Sequence, residues 1–495
     1  MTNTSIFQLI KSLSKEEKRQ FKLSCKKQCG NKDYLVLFDI IDQSVTFDFS
    51  IIKKKFNELR PGASIQNTAR YLTGLISDCL IASKLKEDRE FQLIYGYLRI
   101  QVLKERALTS EAYKELQRLK EMALVVENLN LSHLLYRFEL EYQSNENFQK
   151  LSEKGLIGIQ MKMREILKDL HSINEHYALH ELLKYRIIHS GSILSEESKK
   201  QLNDLILSEM GLVTHRLKNN KETQKVHLLF QSFFLTHIGD YKAALSAFAK
   251  LNKSFEENKS QWNHPPHDYL SALDGILDSL RSIKYYDEMH FYISKLVALD
   301  VNAYPEHFRL RVRKNVIIYE LAALLGLGKI QAAMQFVQKI DPDWASAQSV
   351  SDYDKHTEFL FYIAVVYYHV GEFKKAQKNL NEIIRLGRIN LHSTVYKAAR
   401  MLSIVMQFYD GNQEYLEYEI RSYRRAYQKQ GKLLKVEKLL FKVIQLNPGS
   451  KISRIKEAES NKVLAMLDAI AHDKYEVQIL KHFDFTKWIR EIVFK

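Results

Sequence analysis

The sequence predicts an all-α protein built of stacked helical hairpins, and three observations carry that prediction. Helix breakers are scarce, with 6 prolines and 17 glycines in 495 residues, while 45% of the chain is hydrophobic, enough for a large core. Apolar residues recur at three- and four-residue spacing, the period of a half-buried helix. One pattern of small and large side chains around a turn also returns at a near-constant interval.

The first element is a small helical module over residues 1–88. Ser14 and Glu17 form a capping box at the start of its first long helix. Further helices are expected at about 32–43, 48–59 and 65–85, and VTFDFS at 45–50 reads as a short strand, which would make the module winged-helix-like. Lys15, Lys18, Arg19, Lys22 and Lys26 fall within about 100° of arc on one helix, a candidate phosphate-contacting face. A solvated helix face is the plainer reading. The stretch SLSKEEKRQFKL followed by YLVLFDIID is similar to the opening of a group of uncharacterised bacterial repeat proteins.

Residues 89–223 read as divergent helical hairpins. Phe91–Lys104, Ser110–Glu127 and Leu131–Tyr142 have helical composition, but no register runs through them. His176 and His180 stand four apart on an expected helix, a spacing that can chelate a metal. Tyr177 occupies the place where a zinc hydrolase motif needs glutamate, so ordinary helix histidines are the expectation.

The repeat occupies residues 224–430. In YYHVGEFKKAQKNLNEIIRLG, one helix presents Leu360, Ile363, Ala364 and Tyr367, and the next presents Phe373, Ala376, Leu380 and Ile383. Gly371 between them supplies the left-handed conformation that ends the first helix. Equivalent turns fall at Gly239, Lys284, Gly328 and Gly411, giving intervals of 45, 44, 43 and 40 residues. This arrangement resembles the tetratricopeptide repeat, whose own period is about 34 residues. The resemblance implies a right-handed α-solenoid with long repeats. It also implies a concave groove, lined by the first helix of each hairpin, that receives a peptide or partner helix.

Carried onto this chain, the groove residues are Leu229, Phe233 and His237; Asp274, Asp278 and Arg281; Asn315 and Ile318; Phe361, Val365, Tyr368 and His369; and Met401, Val405 and Phe408. The family's carboxylate clamp of lysines and asparagines is missing. Its positions hold Leu229 and Phe233, Asp274 and Asp278, Ile318 and Ala322, and Phe361 and Val365. Such a groove suits an apolar helix or a segment with some basic charge. Because Phe359–Val370 is apolar all round, the other reading is that it packs on a helix of the same chain or on a second subunit.

Residues 431–495 are expected to form basic and capping helices, with Thr486 capping the last and that helix covering the final repeat. Arg421, Arg424, Arg425 and Lys429 share one face of the preceding helix, a second candidate phosphate contact. Tyr423 and Tyr427 lie on the opposite, core-facing side.

The net charge of +15 is concentrated at the ends. Residues 1–100 hold 17 Lys+Arg against 11 Asp+Glu, residues 421–495 hold 17 against 8, and the middle is neutral. No apolar run reaches the roughly 20 residues that span a bilayer, and MTNTSIFQLIKSLSKEEK lacks the pattern of a secretory signal. Three cysteines, Cys25, Cys29 and Cys79, make no disulfide framework, and a reducing cytoplasm is expected. LGLGKIQAA at 325–333 lacks phosphate-loop spacing and aligns with the repeat turn. No catalytic constellation is apparent, so an enzyme, a metal and a cofactor are not expected. The expected partner is another protein, with a second copy of the chain and nucleic acid as alternatives, and no membrane.

Overall fold

A computed structural model describes residues 3–26, 32–44, 47–149, 151–191, 193–216, 220–259, 265–301, 304–341, 353–385, 393–411, 413–428, 433–446, 457–471 and 473–494. Among the described residues there are 25 helices and no strand, so the protein is all-α. None of these helices is long and apolar enough to cross a membrane. The chain divides into two compact units, one of Met1–Ser172 with Asn302–His307, the other of Ile173–Val301 with Phe308–Lys495.

The first unit opens with helices Asn3–Ser12, Lys15–Lys26, Asp33–Gln43, Phe49–Leu59 and Ile65–Glu87. The capping box forms as expected. The backbone N–H of Ser14 donates to Glu17 Oε2 at 2.7 Å, and that of Glu17 to Ser14 Oγ at 3.2 Å. Ile10, Phe21, Phe38, Phe56 and Leu72 make the module's core. The strand expected at 45–50 is a correction. Asp48 accepts from the N–H groups of Ser50 and Ile51, and this cap turns Phe49 and Ser50 into the first residues of a helix. Residues 45–46 lie outside the described residues.

Next come helices Arg89–Glu105, Thr109–Val126 and Leu129–Asn145. Gly96 lets Leu119 pack directly on its backbone, where a Cβ would meet the leucine at 2.6 Å. The turns between these helices resemble the downstream repeat turns, but non-glycine residues hold the positive φ: Ala107 at 59° and Glu127 at 57°.

In the second unit, helices Lys221–His237 and Tyr241–Glu257 form one hairpin, and His267–Ser282 and Tyr286–Val297 the next. Glu306–Gly326 with Ile330–Gln338, Tyr353–Val370 with Phe373–Arg385, and Thr394–Asp410 with Gln413–Gln428 follow. Helices Lys435–Leu446, Glu457–Ala471, Lys474–Leu480 and Phe485–Phe494 complete it.

All five turn positions read from the sequence adopt positive φ: Gly239 at 79°, Lys284 at 64°, Gly328 at 73°, Gly371 at 85° and Gly411 at 76°. Four of them share one hydrogen-bond pattern. Gly371 N–H donates to Tyr368 O and Glu372 N–H to Tyr367 O, and the same pair of bonds recurs at 239–240, 284–285 and 328–329. This double bond satisfies carbonyls that a helix end leaves free. The glycines at 239, 328, 371 and 411 adopt the conformation without steric penalty, whereas Lys284 bears the side-chain clash.

Replacing Lys284 with glycine is therefore expected to stabilise the protein by about 1 kcal/mol. Its pair with Asp484 is exposed and adds little. Gly371→Ala is expected to lose about 1 kcal/mol. Chemical unfolding of the two variants checks both, and a Lys284→Gly variant less stable than wild type would refute the strain at this turn.

Candidate functional site: the first-helix face of the repeats

Spacing places the named groove residues on the first helix of each hairpin, and the structure shows what faces them. Asn315 and Ile318, Phe361 and Val365, and Met401, Val405 and Phe408 are all buried. Leu229, Phe233 and His237 are half-buried. The residues that cover much of this face come from the same chain, from the segment containing helices Lys474–Leu480 and Phe485–Phe494.

The centre of the contact is ionic. Arg281, only 3% exposed, donates through Nη1 to Glu358 Oε1 at 2.6 Å and to the Tyr362 hydroxyl at 2.8 Å, and through Nη2 to Asp278. Lys481 donates to Asp278 Oδ1 at 3.0 Å and Oδ2 at 2.8 Å. Lys355 donates to Asp274 Oδ1 at 2.6 Å and Glu358 Oε2 at 3.1 Å, and the Tyr319 hydroxyl adds a 2.6 Å bond to Asp274. Helices His267–Ser282, Glu306–Gly326 and Tyr353–Val370 therefore converge on one cluster, with Lys481 as the contribution of the C-terminal segment. Three carboxylates meet three cations.

The protonation states follow. Burial opposes charge on Asp278, but Lys481 and Arg281 outweigh it and hold its carboxyl well below the usual range. Glu358 is likewise held down by Lys355 and Arg281 against its burial. Lys481 is buried too, and Asp278 pushes its pKa up. His482, beside the cluster, is driven well below its ordinary value by burial and by Arg281 and Lys481, so it stays neutral.

Aromatic packing extends the contact on both sides. Phe361 meets His482 with ring centroids 6.2 Å apart. Phe483 packs edge-on to Tyr368 at 5.5 Å and stacks on His369 at 6.0 Å. Trp488 meets Phe408 at 5.8 Å and donates its indole N–H to the Tyr409 hydroxyl at 2.9 Å. At the other end, the Gln478 amide donates to the carbonyls of His237 at 3.0 Å and Ile193 at 2.8 Å. A Cβ on Gly239 would sit 2.1 Å from the Lys474 carbonyl oxygen, so the segment passes directly over that turn. The cap of the last helix is also a correction, because Asp484 accepts from the Lys487 N–H and from the Thr486 hydroxyl.

The sequence reading named Asp274, Asp278 and Arg281 but missed Lys355, Glu358, Tyr319, Tyr362 and Lys481. Lys355 and Glu358 lie three apart at the start of an apolar helix, the one local signal of a buried charged pair. Nothing local marks Lys481.

The candidate phosphate contacts are dispersed. Lys18 pairs with Asp42 and Lys22 with Asp39, both at 2.7 Å, so two of the five basic residues of that face are turned to a neighbouring helix. Lys15 and Arg19 are exposed. The side chain of Lys26 and the whole of Lys429 lie outside the described residues. Arg424 lies over the Phe441 ring, while Arg421 and Arg425 are exposed. Tyr423 and Tyr427 are core residues, at 0% and 2% exposure. His176 and His180 are buried on helix Glu153–Ser190, with the His180 ring against Phe233. Among the described residues no group of three or more His, Cys, Asp or Glu side chains is placed to hold a metal. Comparison with known proteins returns no matching family model, no similar curated sequence and no similar solved structure. The site is therefore defined by its geometry, as the internal face of an all-α protein.

Asp278→Asn leaves Arg281 and Lys481 without their shared carboxylate and is expected to cost about 3 kcal/mol, read from chemical denaturation. Acid should also weaken this unit. Burial pushes His180, His237 and His356 down to about 4, below their unfolded value near 6.5. The unfolded chain then binds more protons between these values, and stability falls as pH drops from about 6.5 toward 4. A loss on the order of 1 kcal/mol per histidine is expected between pH 7 and pH 5. The carboxylates add their own loss only below about pH 4, where the unfolded groups take protons. Thermal melts across this range check it, and a flat profile from pH 7 to pH 5 would contradict it.

Proposed function

We propose that the protein is a scaffold that binds another protein through the first-helix face of a right-handed, tetratricopeptide-like α-solenoid. The observation that supports this reading is that the face is covered by a helical segment, the chain's own residues 474–494. It meets that segment as a scaffold would meet a ligand, with an ionic centre flanked by aromatic contacts. The four-fold recurrence of one turn geometry supports the repeat reading. Free Cys25 and Cys79 are in keeping with a reducing cytoplasm.

Nucleic-acid binding through the basic ends is the competing reading. It is weakened by the pairing of Lys18 and Lys22 with acids and by the placement of Arg424 over an aromatic ring. Purification of the tagged full-length chain from its native host separates the two. A stoichiometric protein partner that survives nuclease treatment and raised salt is expected. Recovery that vanishes with nuclease, together with a mobility shift that weakens steeply as salt rises, would replace the scaffold reading with the nucleic-acid one.

A further inference from the structure

A scaffold needs a surface that a partner can take, and the face identified above is occupied by residues 474–494. We infer that this segment is an exchangeable internal ligand. The partner that replaces it is a protein presenting a basic residue, followed by aromatic residues, on two short consecutive helices. The inference rests on the scaffold reading and names its partner class.

Charge sets the first requirement. With Lys481 in place, Asp274, Asp278 and Glu358 are matched by Arg281, Lys355 and Lys481. With the segment gone, those three carboxylates face two cations, and Asp278 keeps Arg281 but loses Lys481. A lysine or arginine restores neutrality, whereas an acidic or purely apolar ligand does not. The aromatic contacts set the second requirement. Two residues after the lysine, Phe483 covers Tyr368 and His369, and seven residues after it Trp488 reaches Phe408. A ligand with this spacing satisfies the face whichever chain it belongs to. The segment meets this face through residues 203 and 241 positions away in sequence, and it is also held by Glu476, which accepts from the backbone N–H groups of Lys435 and Val436.

The buried lysine also favours exchange over permanent closure. The ammonium group fixes where the segment sits but adds little net stability. Apolar residues of similar volume are often as stable as a buried ion pair, because desolvating the charges offsets their attraction. On release, Lys481 and Asp278 recover their hydration, which lowers the cost of opening. Against this stands the high effective concentration of a tethered ligand, so a free competitor gains access when the internal contact is weakened.

The test uses the full chain and a fluorescent peptide spanning residues 474–495, read by anisotropy. Lys481→Glu in the chain weakens the internal ligand, and this variant is expected to bind the wild-type peptide at least about tenfold more tightly than the wild-type chain does. A peptide carrying the same Lys481→Glu change is expected to bind neither. Equal binding of the wild-type peptide to the two chains, or equal binding of the two peptides, overturns the inference. A concentration-dependent dimer of the Lys481→Glu chain that excludes the peptide assigns the face to a second copy and also overturns it. Hydrogen exchange on the wild-type chain gives the same answer where the variant fails to fold. Amides of 474–494 are expected to exchange together, well before those of helix Thr394–Asp410, and exchange of both only on global unfolding overturns the inference. Peptide exchange without any protein partner in the host would count against the scaffold reading alone. A host partner bound while the peptide does not exchange would count against this inference alone.

Discussion

The ionic cluster around Asp278 and Arg281 is the constraint on which the rest of the second unit depends. Arg281 sits near the end of one hairpin's first helix and bonds to Glu358 and Tyr362, two hairpins further along. A single planar guanidinium therefore ties together elements that are not neighbours in the repeat order. Its fork geometry suits this role better than an ammonium would, because separate nitrogens reach separate acceptors in one plane. Buried ion pairs give little net stability, but a buried charge left without its partner is strongly unfavourable. The cluster thus acts mainly by exclusion, since arrangements of the helices that separate these six groups leave a charge uncompensated in an apolar surrounding.

That constraint explains why the faces of the repeats were legible in the sequence while their accessibility was not. Helical period assigns Phe361, Val365, Met401 and Val405 to one side of their helices, and in the structure all four are buried. Period carries no information about what lies opposite. The cover comes from the far end of the chain, through Lys481, Phe483 and Trp488, and contacts over such separations leave no local trace in one sequence. The all-round apolar character of Phe359–Val370 was the available hint, because a helical stretch with no polar side has no side for water.

The turns divide in the same way. Where the left-handed residue is glycine, the hairpin can be read directly, and Gly239, Gly328, Gly371 and Gly411 set the register. Lys284 was found only because the surrounding pattern required a turn there. Upstream, Ala107 and Glu127 hold the same conformation with no compositional mark, so helices whose lengths were visible could not be joined into hairpins. The surroundings of the basic N-terminal face were hidden for a related reason. Lys18 and Lys22 share a helix face, but so do Asp39 and Asp42 on the helix they meet. A charge count along one helix cannot register pairing across two.

An acidic, aromatic inner face differs in kind from the lysine and asparagine clamp of the repeat family that this chain resembles. That clamp reads a carboxylate, whereas a face built on Asp274, Asp278 and Glu358 repels one. Arg281 and Lys355 supply two of the neutralising charges, and the third comes from outside these helices, from the chain's own Lys481. Neutralisation from outside the repeats links folding of the unit to occupancy of the face. Without this segment the face would carry both an unmatched carboxylate and exposed apolar helices, so the segment adds to the stability of the unit as well as covering it. Covering of the face and stability of the unit therefore draw on the same few atoms, and a change to one is felt in both.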